Sequence, residues 1–168
     1  MASYDYQNEI ELHSIGDSII QGLQMFEQTF GYQSKTTIAP CYVWNDEIEK
    51  ILNQGGVKCI QSSYVQQKNI QGKHKRVWQK MGNTNVLNQR YFVRNVLFEP
   101  SLNKKVNWVE KAMESIAVAF FWGKPAIISS HRINYVAGLS AENRDSNLAL
   151  LEELLKRVLK KWPEIEDK

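Results

Sequence analysis

At 168 residues the chain has the length of one ordinary domain and falls short of the ~250 residues of a complete (β/α) barrel. Hydrophobic residues at 43% and charged residues at 23% are near globular averages, which excludes a disordered, collagen-like or coiled-coil chain. A net charge of +3 conceals an asymmetry: residues 65–105 carry nine Lys or Arg against the single acid Glu99, and the remainder is net acidic.

The longest apolar run, Ile116 to Trp122, is well short of the ~20 residues of a membrane span. Met1 to Tyr6 lacks the basic-then-apolar pattern of a secretory signal. Cys41 and Cys59 are too few for a disulfide scaffold and read as free thiols. Together these features lead to the expectation of a cytoplasmic protein without a membrane partner.

Ile19, Leu23, Phe26 and Phe30 recur at helical spacing, so a helix is expected over residues 17–30, stopped by Gly31. Thr36-Thr37-Ile38-Ala39, closed by Pro40, reads as a strand. Asn45 can cap a second helix carrying Ile48, Ile51 and Leu52, with Asp46 and Glu47 favourable to its dipole. Gly55-Gly56 ends it, and Val57 to Ile60 is a second strand. Residues 62–89 are polar and basic and read as a long loop or insertion.

Tyr91 to Phe98 reads as a third strand, and a helix follows from about Val106 to Trp122. Ala126-Ile127-Ile128 is a fourth strand leading into Ser129-Ser130-His131. Ser140 can cap a last helix, striped by Leu148, Leu151, Leu155 and Val158 and ending near Trp162. Strands alternating with helices imply an α/β fold with a parallel sheet, about four strands with flanking helices. No internal repeat is visible. Ligands in such sheets gather at the carboxyl ends of strands. Pro40 to Asp46, Gln61 to Gln67 and Ser129 to Asn134 fall at those ends.

His131 is the candidate for acid–base work, because it ends an apolar strand beside Ser129, Ser130, Arg132 and Asn134 and imidazole titrates near neutrality. A structural histidine fits the same position. Tyr42 and Trp44, next to Asn45 and Asp46, could stack on a sugar ring; Trp44 could equally be a hydrophobic staple ahead of the cap. His13, His74 and His131 lack metal-ligand spacing. The stretch Lys68 to Lys80, with Trp78, could hold an acidic polysaccharide or a nucleic acid, or be a solvated face.

The run Ile38-Ala39-Pro40-Cys41-Tyr42-Val43-Trp44-Asn45-Asp46-Glu47-Ile48, followed by Gly56-Val57-Lys58-Cys59-Ile60, resembles the third motif of polysaccharide deacetylases. There an Arg-Pro-Pro-Tyr-like turn precedes a helix and the next strand. Ala126-Ile127-Ile128-Ser129-Ser130-His131 is similar to the family's late motif, an apolar strand presenting a histidine. The likeness extends over residues 16–162 and is closest to a divergent branch.

That resemblance implies the carboxyl-terminal part of a distorted (β/α) barrel of about seven strands, with residues 1–168 as one domain of it. It implies hydrolysis of acetyl groups on glycans with a divalent metal. His131 would be the general acid and Tyr42 would lend a backbone N–H to an oxyanion hole. Trp44, Asn45, Asp46, Arg94, Arg132 and Asn134 would meet the carbohydrate substrate.

The family's motif-three arginine falls on Ala39, and its Asp-Asp and His-x-x-x-His metal motifs do not occur in this chain. Weak or absent catalysis by the chain alone is therefore expected, together with self-association or a missing amino-terminal segment. Nucleic acid is not the expected partner. The other reading is a non-catalytic glycan-binding module using Trp44, Tyr42 and the basic stretch 68–80.

Overall fold

In the computed structural model, which describes residues 2–70, 73–138 and 140–165, the first helix starts earlier than its strongest apolar stripe suggests. Helix α1 spans Glu9–Phe30 because Asn8 caps it, its side chain accepting the Glu11 N–H at 2.9 Å. Leu12 and Ile15 extend the stripe by two turns and pack on the same core as Ile19. Gly31 ends the helix at φ 76°, the left-handed geometry glycine adopts without cost.

Chain contacts divide the protein into two compact units, Met1–Val93 and Arg94–Lys168. In the first, strands β1 (Thr36–Ile38), β2 (Cys59–Ser62) and β5 (Arg90–Val93) form a parallel sheet in the order β1-β2-β5. Helix α2, Asp46–Gln54, follows the 3-10 turn Pro40–Tyr42 and is capped by Asn45 as expected. Helices α1 and α2 approach closely at Gly16, where an added Cβ would meet the Ile51 side chain at 3.2 Å. The core joins Ile19 of α1, Ile48 and Leu52 of α2, Ile60 of β2 and Tyr91 of β5 around a fully buried Trp44.

The expected loop at 62–89 is a β-hairpin for much of its length. Strand β3 (Val65–Ile70) pairs antiparallel with β4 (Lys73–Trp78), from Val65 opposite Trp78 to Ile70 opposite Lys73. Its sequence hides this because neither strand alternates apolar and polar residues. Buried amides anchor it instead: Gln66 donates to the Trp44 carbonyl at 2.9 Å and accepts from Gln79 at 2.7 Å.

The second unit holds β6 (Val96–Leu97) and β7 (Ile128–Ser129), paired in parallel, with helices α3 (Trp108–Phe121) and α4 (Ala141–Lys161). Val96, Phe98, Val109, Ile116, Leu154 and Val158 make its core. The third strand expected as one run, 91–98, is two. Between them Asn95 accepts the Ile127 N–H at 2.8 Å and donates to the Pro125 carbonyl at 3.0 Å, so a side chain takes the place of ladder bonds.

The fold is thus α/β with small parallel sheets, and the described residues form no closed barrel. Cys41 and Cys59 are both free. No helix among the described residues is long and apolar enough to cross a membrane.

Candidate acid–base site

Strands β6 and β7 run in parallel with Val96 opposite Ile128 and Leu97 opposite Ser129. Continued by two residues, that register sets Glu99 opposite His131 at the carboxyl ends of both strands. The pairing does continue, since the Phe98 N–H reaches the Ser129 carbonyl at 2.9 Å. Glu99 Oε1 then lies 2.7 Å from Nδ1 of His131.

The two partners differ sharply in environment. The His131 side chain keeps 73% of its surface exposed, the Glu99 side chain 9%. A covered carboxylate accepting from Nδ1–H fixes the ring's orientation and places the neutral imidazole's free lone pair on Nε2. This arrangement leaves one ring nitrogen, Nε2, as the atom of a held ring at which a proton can be taken up or given.

The supporting residues are polar and covered. After His131 the chain makes a 3-10 turn, Arg132–Asn134, which folds Asn134 back beneath the histidine. The wholly buried Asn134 donates to Glu99 Oε2 at 2.8 Å and to the His131 carbonyl at 2.9 Å, and accepts the Ser101 N–H at 3.0 Å. Asn147 on α4 donates to the Asn134 carbonyl at 3.0 Å and to Ser101 Oγ at 2.9 Å. Ser130 Oγ and the Tyr135 hydroxyl meet at 2.8 Å. Burial pushes the Tyr135 phenol above its ordinary range, against the opposing pull of the Ser130 hydrogen bond.

The residues expected at a site fall into separate roles. His131, Arg132 and Asn134 come together, with Arg132 exposed beside the histidine and Asn134 acting on Glu99 rather than outward. Arg94 lies in the same unit and keeps a buried Nε with no hydrogen-bond partner among the described residues. Tyr42, Trp44, Asn45 and Asp46 belong to the other unit.

Tyr42 sits at φ 56°, and its backbone N–H is already given to the Ala39 carbonyl at 3.0 Å, so it is not free for an oxyanion. Trp44 is 0% exposed and offers no stacking face; its Nε1–H donates to Glu49 at 2.8 Å. Asn45 donates to the Tyr6 hydroxyl at 2.6 Å while capping α2, and Asp46 is paired with Lys68 at 2.6 Å. Sequence reasoning passed over Glu99, Ser101, Tyr135 and Asn147. The one available signal was a lone acid at the end of a strand within a basic stretch.

No three His, Cys, Asp or Glu side chains among the described residues come together as a metal-binding group. The residues described here therefore do not fit the divalent metal that deacetylases use. The chain matches no known protein-family model, no curated protein and no solved structure.

Proposed function

We propose that this chain supplies the acid–base histidine of a carbohydrate-directed hydrolase of the polysaccharide-deacetylase kind, acting on acetylated glycans. The observation that carries the reading is the exposed His131 imidazole held through Nδ1 by the covered Glu99 carboxylate at 2.7 Å. As imidazolium, His131 would give its Nε2 proton to the departing sugar amine or hydroxyl, and Glu99 would steady the ring's charge through that step. Arg132, exposed next to it, would meet the sugar's polar groups.

In this reading each small parallel sheet would be part of a larger (β/α) barrel, and the outer edge of β1 would receive a further parallel strand. The chain alone then holds the acid and its supports, and its own catalysis is weak or absent.

The test is a titration of the full chain with N-acetylglucosamine oligomers, followed by nuclear magnetic resonance of the His131 ring. Saturable perturbation of the His131 signals is expected, with acetate release at background. Absence of any perturbation by acetylated oligomers would overturn the reading. Metal-dependent acetate release lost in His131→Ala would show instead that the machinery is complete within the chain.

A further inference from the structure

We infer that the β3–β4 hairpin of the first unit is a docking edge for an acidic polysaccharide, a chain of uronic-acid sugars, independent of the His131 site. The hairpin's cations divide into paired and unpaired. Lys68 is held by Asp46 at 2.6 Å and His74 by Asp5 at 3.1 Å. Lys73, Lys75, Arg76 and Lys80 have no carboxylate within ion-pair distance among the described residues, and all are exposed. Four uncompensated charges thus lie within eight residues of one strand and its exit.

Among the described residues strand β4 pairs with β3 alone, so no described strand covers its outer edge. Lysines on an open edge can serve merely to block pairing with another chain. That purpose does not require Trp78, which ends the strand 75% exposed. The exposed indole leaves a broad apolar ring face open to a ligand beside the unpaired cations. Its face suits the C–H side of a sugar ring, and the adjacent cations suit the ring's carboxylate.

The geometry favours an acidic glycan over a nucleic acid. Successive side chains of a strand point to opposite faces. Arg76 and Trp78 therefore share one face, and Lys73 and Lys75 lie on the other. A glycan whose successive rings turn their carboxylates to alternate sides matches that alternation across the edge. Single-stranded nucleic acids are held instead by bases stacked on successive aromatics. On the Trp78 face the preceding strand positions are Arg76 and His74, and the His74 imidazole is already held by Asp5 at 3.1 Å, which leaves Trp78 as the one large stacking ring of β4 on that face.

The test is calorimetry of the full chain with oligogalacturonate, with oligothymidylate of equal charge, and with a neutral cello-oligosaccharide. Oligogalacturonate should bind, and more weakly as salt rises. Trp78→Ala and the double variant Lys75→Gln/Arg76→Gln should each lower affinity about tenfold or more. Trp122→Ala, a change of another exposed indole in the second unit, should leave affinity unchanged. No binding, binding unaltered in the hairpin variants, equal binding of the neutral oligomer, or tighter binding of oligothymidylate would each overturn the assignment. His131→Ala should not alter this binding, so its outcome is separate from that of the hydrolase reading.

Discussion

Glu99 and His131 stand opposite each other at the carboxyl ends of parallel neighbours, with Oε1 and Nδ1 2.7 Å apart and Asn134 donating to the other carboxylate oxygen. Replacing Glu99 by Gln forces a choice. The new amide has one oxygen and one NH2, and the Asn134 NH2 requires the oxygen. The Gln NH2 must then face Nδ1, which can accept only without its proton. Glu99→Gln is expected to move the neutral ring's proton from Nδ1 to Nε2. Nitrogen chemical shifts of the ring report this directly. An unchanged Nδ1–H signal would show that the carboxylate does not set the tautomer.

Asn134 is the keystone beneath that pair. Asn134→Ala leaves the Ser101 N–H and one Glu99 oxygen without their partner, at about 1–3 kcal/mol for each buried group left unmade. Asn134→Asp should be worse at neutral pH, since it sets a second carboxylate against Glu99 and two such groups cannot comfortably both stay charged. Its deficit should shrink as acid neutralises one of them, whereas the Asn134→Ala deficit should change little. Denaturant midpoints of both variants at pH 7 and pH 5 check the contrast. An Asn134→Asp variant as stable as wild type at pH 7 would refute it.

Such a network shows where legibility ended. The apolar face of α3, with Val109, Met113 and Ile116, is written in helical spacing, and so is the Asn45 cap of α2. His131 is visible because an apolar strand runs straight into it. Glu99 is not, because its partner is 32 residues away and depends on the pairing of two very short strands. The hairpin is hidden for a related reason. Asn69, buried in β3, donates to Asp5 across 64 residues, a long-range polar bond with no local pattern. Helix α1 loses its first turns to view because Glu9 and Glu11 look like loop residues until Asn8 is recognised as their cap.

Trp44 illustrates an ambiguity that only packing resolves. Its indole is wholly buried and donates to the buried Glu49, so its replacement removes core volume and a charge-assisted hydrogen bond together. Trp44→Ala is expected to cost about 3–5 kcal/mol from the lost side chain. Trp44→Phe, which restores much of the volume but no donor, should cost about 1–3 kcal/mol. Thermal unfolding orders the two. A Trp44→Ala protein with unchanged stability and lost glycan binding would restore Trp44 as a sugar platform.

The same Glu49 gives the protein an alkaline sensitivity. Its Oε1 accepts from Trp44 and from the Tyr91 hydroxyl at 2.6 Å, and its Oε2 accepts from Asn85 at 2.7 Å. Burial, then the Glu49 hydrogen bond and charge, hold the Tyr91 phenol far above its ordinary range. Folding therefore favours the protonated phenol. That stability is complete below the unfolded value of ~10 and is lost as pH rises beyond it, because only the unfolded chain then gains by releasing the proton. Tyr91→Phe removes both the bond and the titration. At pH 7 it should be less stable than wild type by about 1–3 kcal/mol, since Glu49 loses a donor. Between pH 10 and pH 11 wild type should fall toward the variant, with contributions from the other tyrosines cancelling in the difference. Urea midpoints of the two proteins across pH 7 to 11 measure that gap. A gap constant or widening with pH would mean that Tyr91 ionises at least as readily in the folded protein as in the unfolded one.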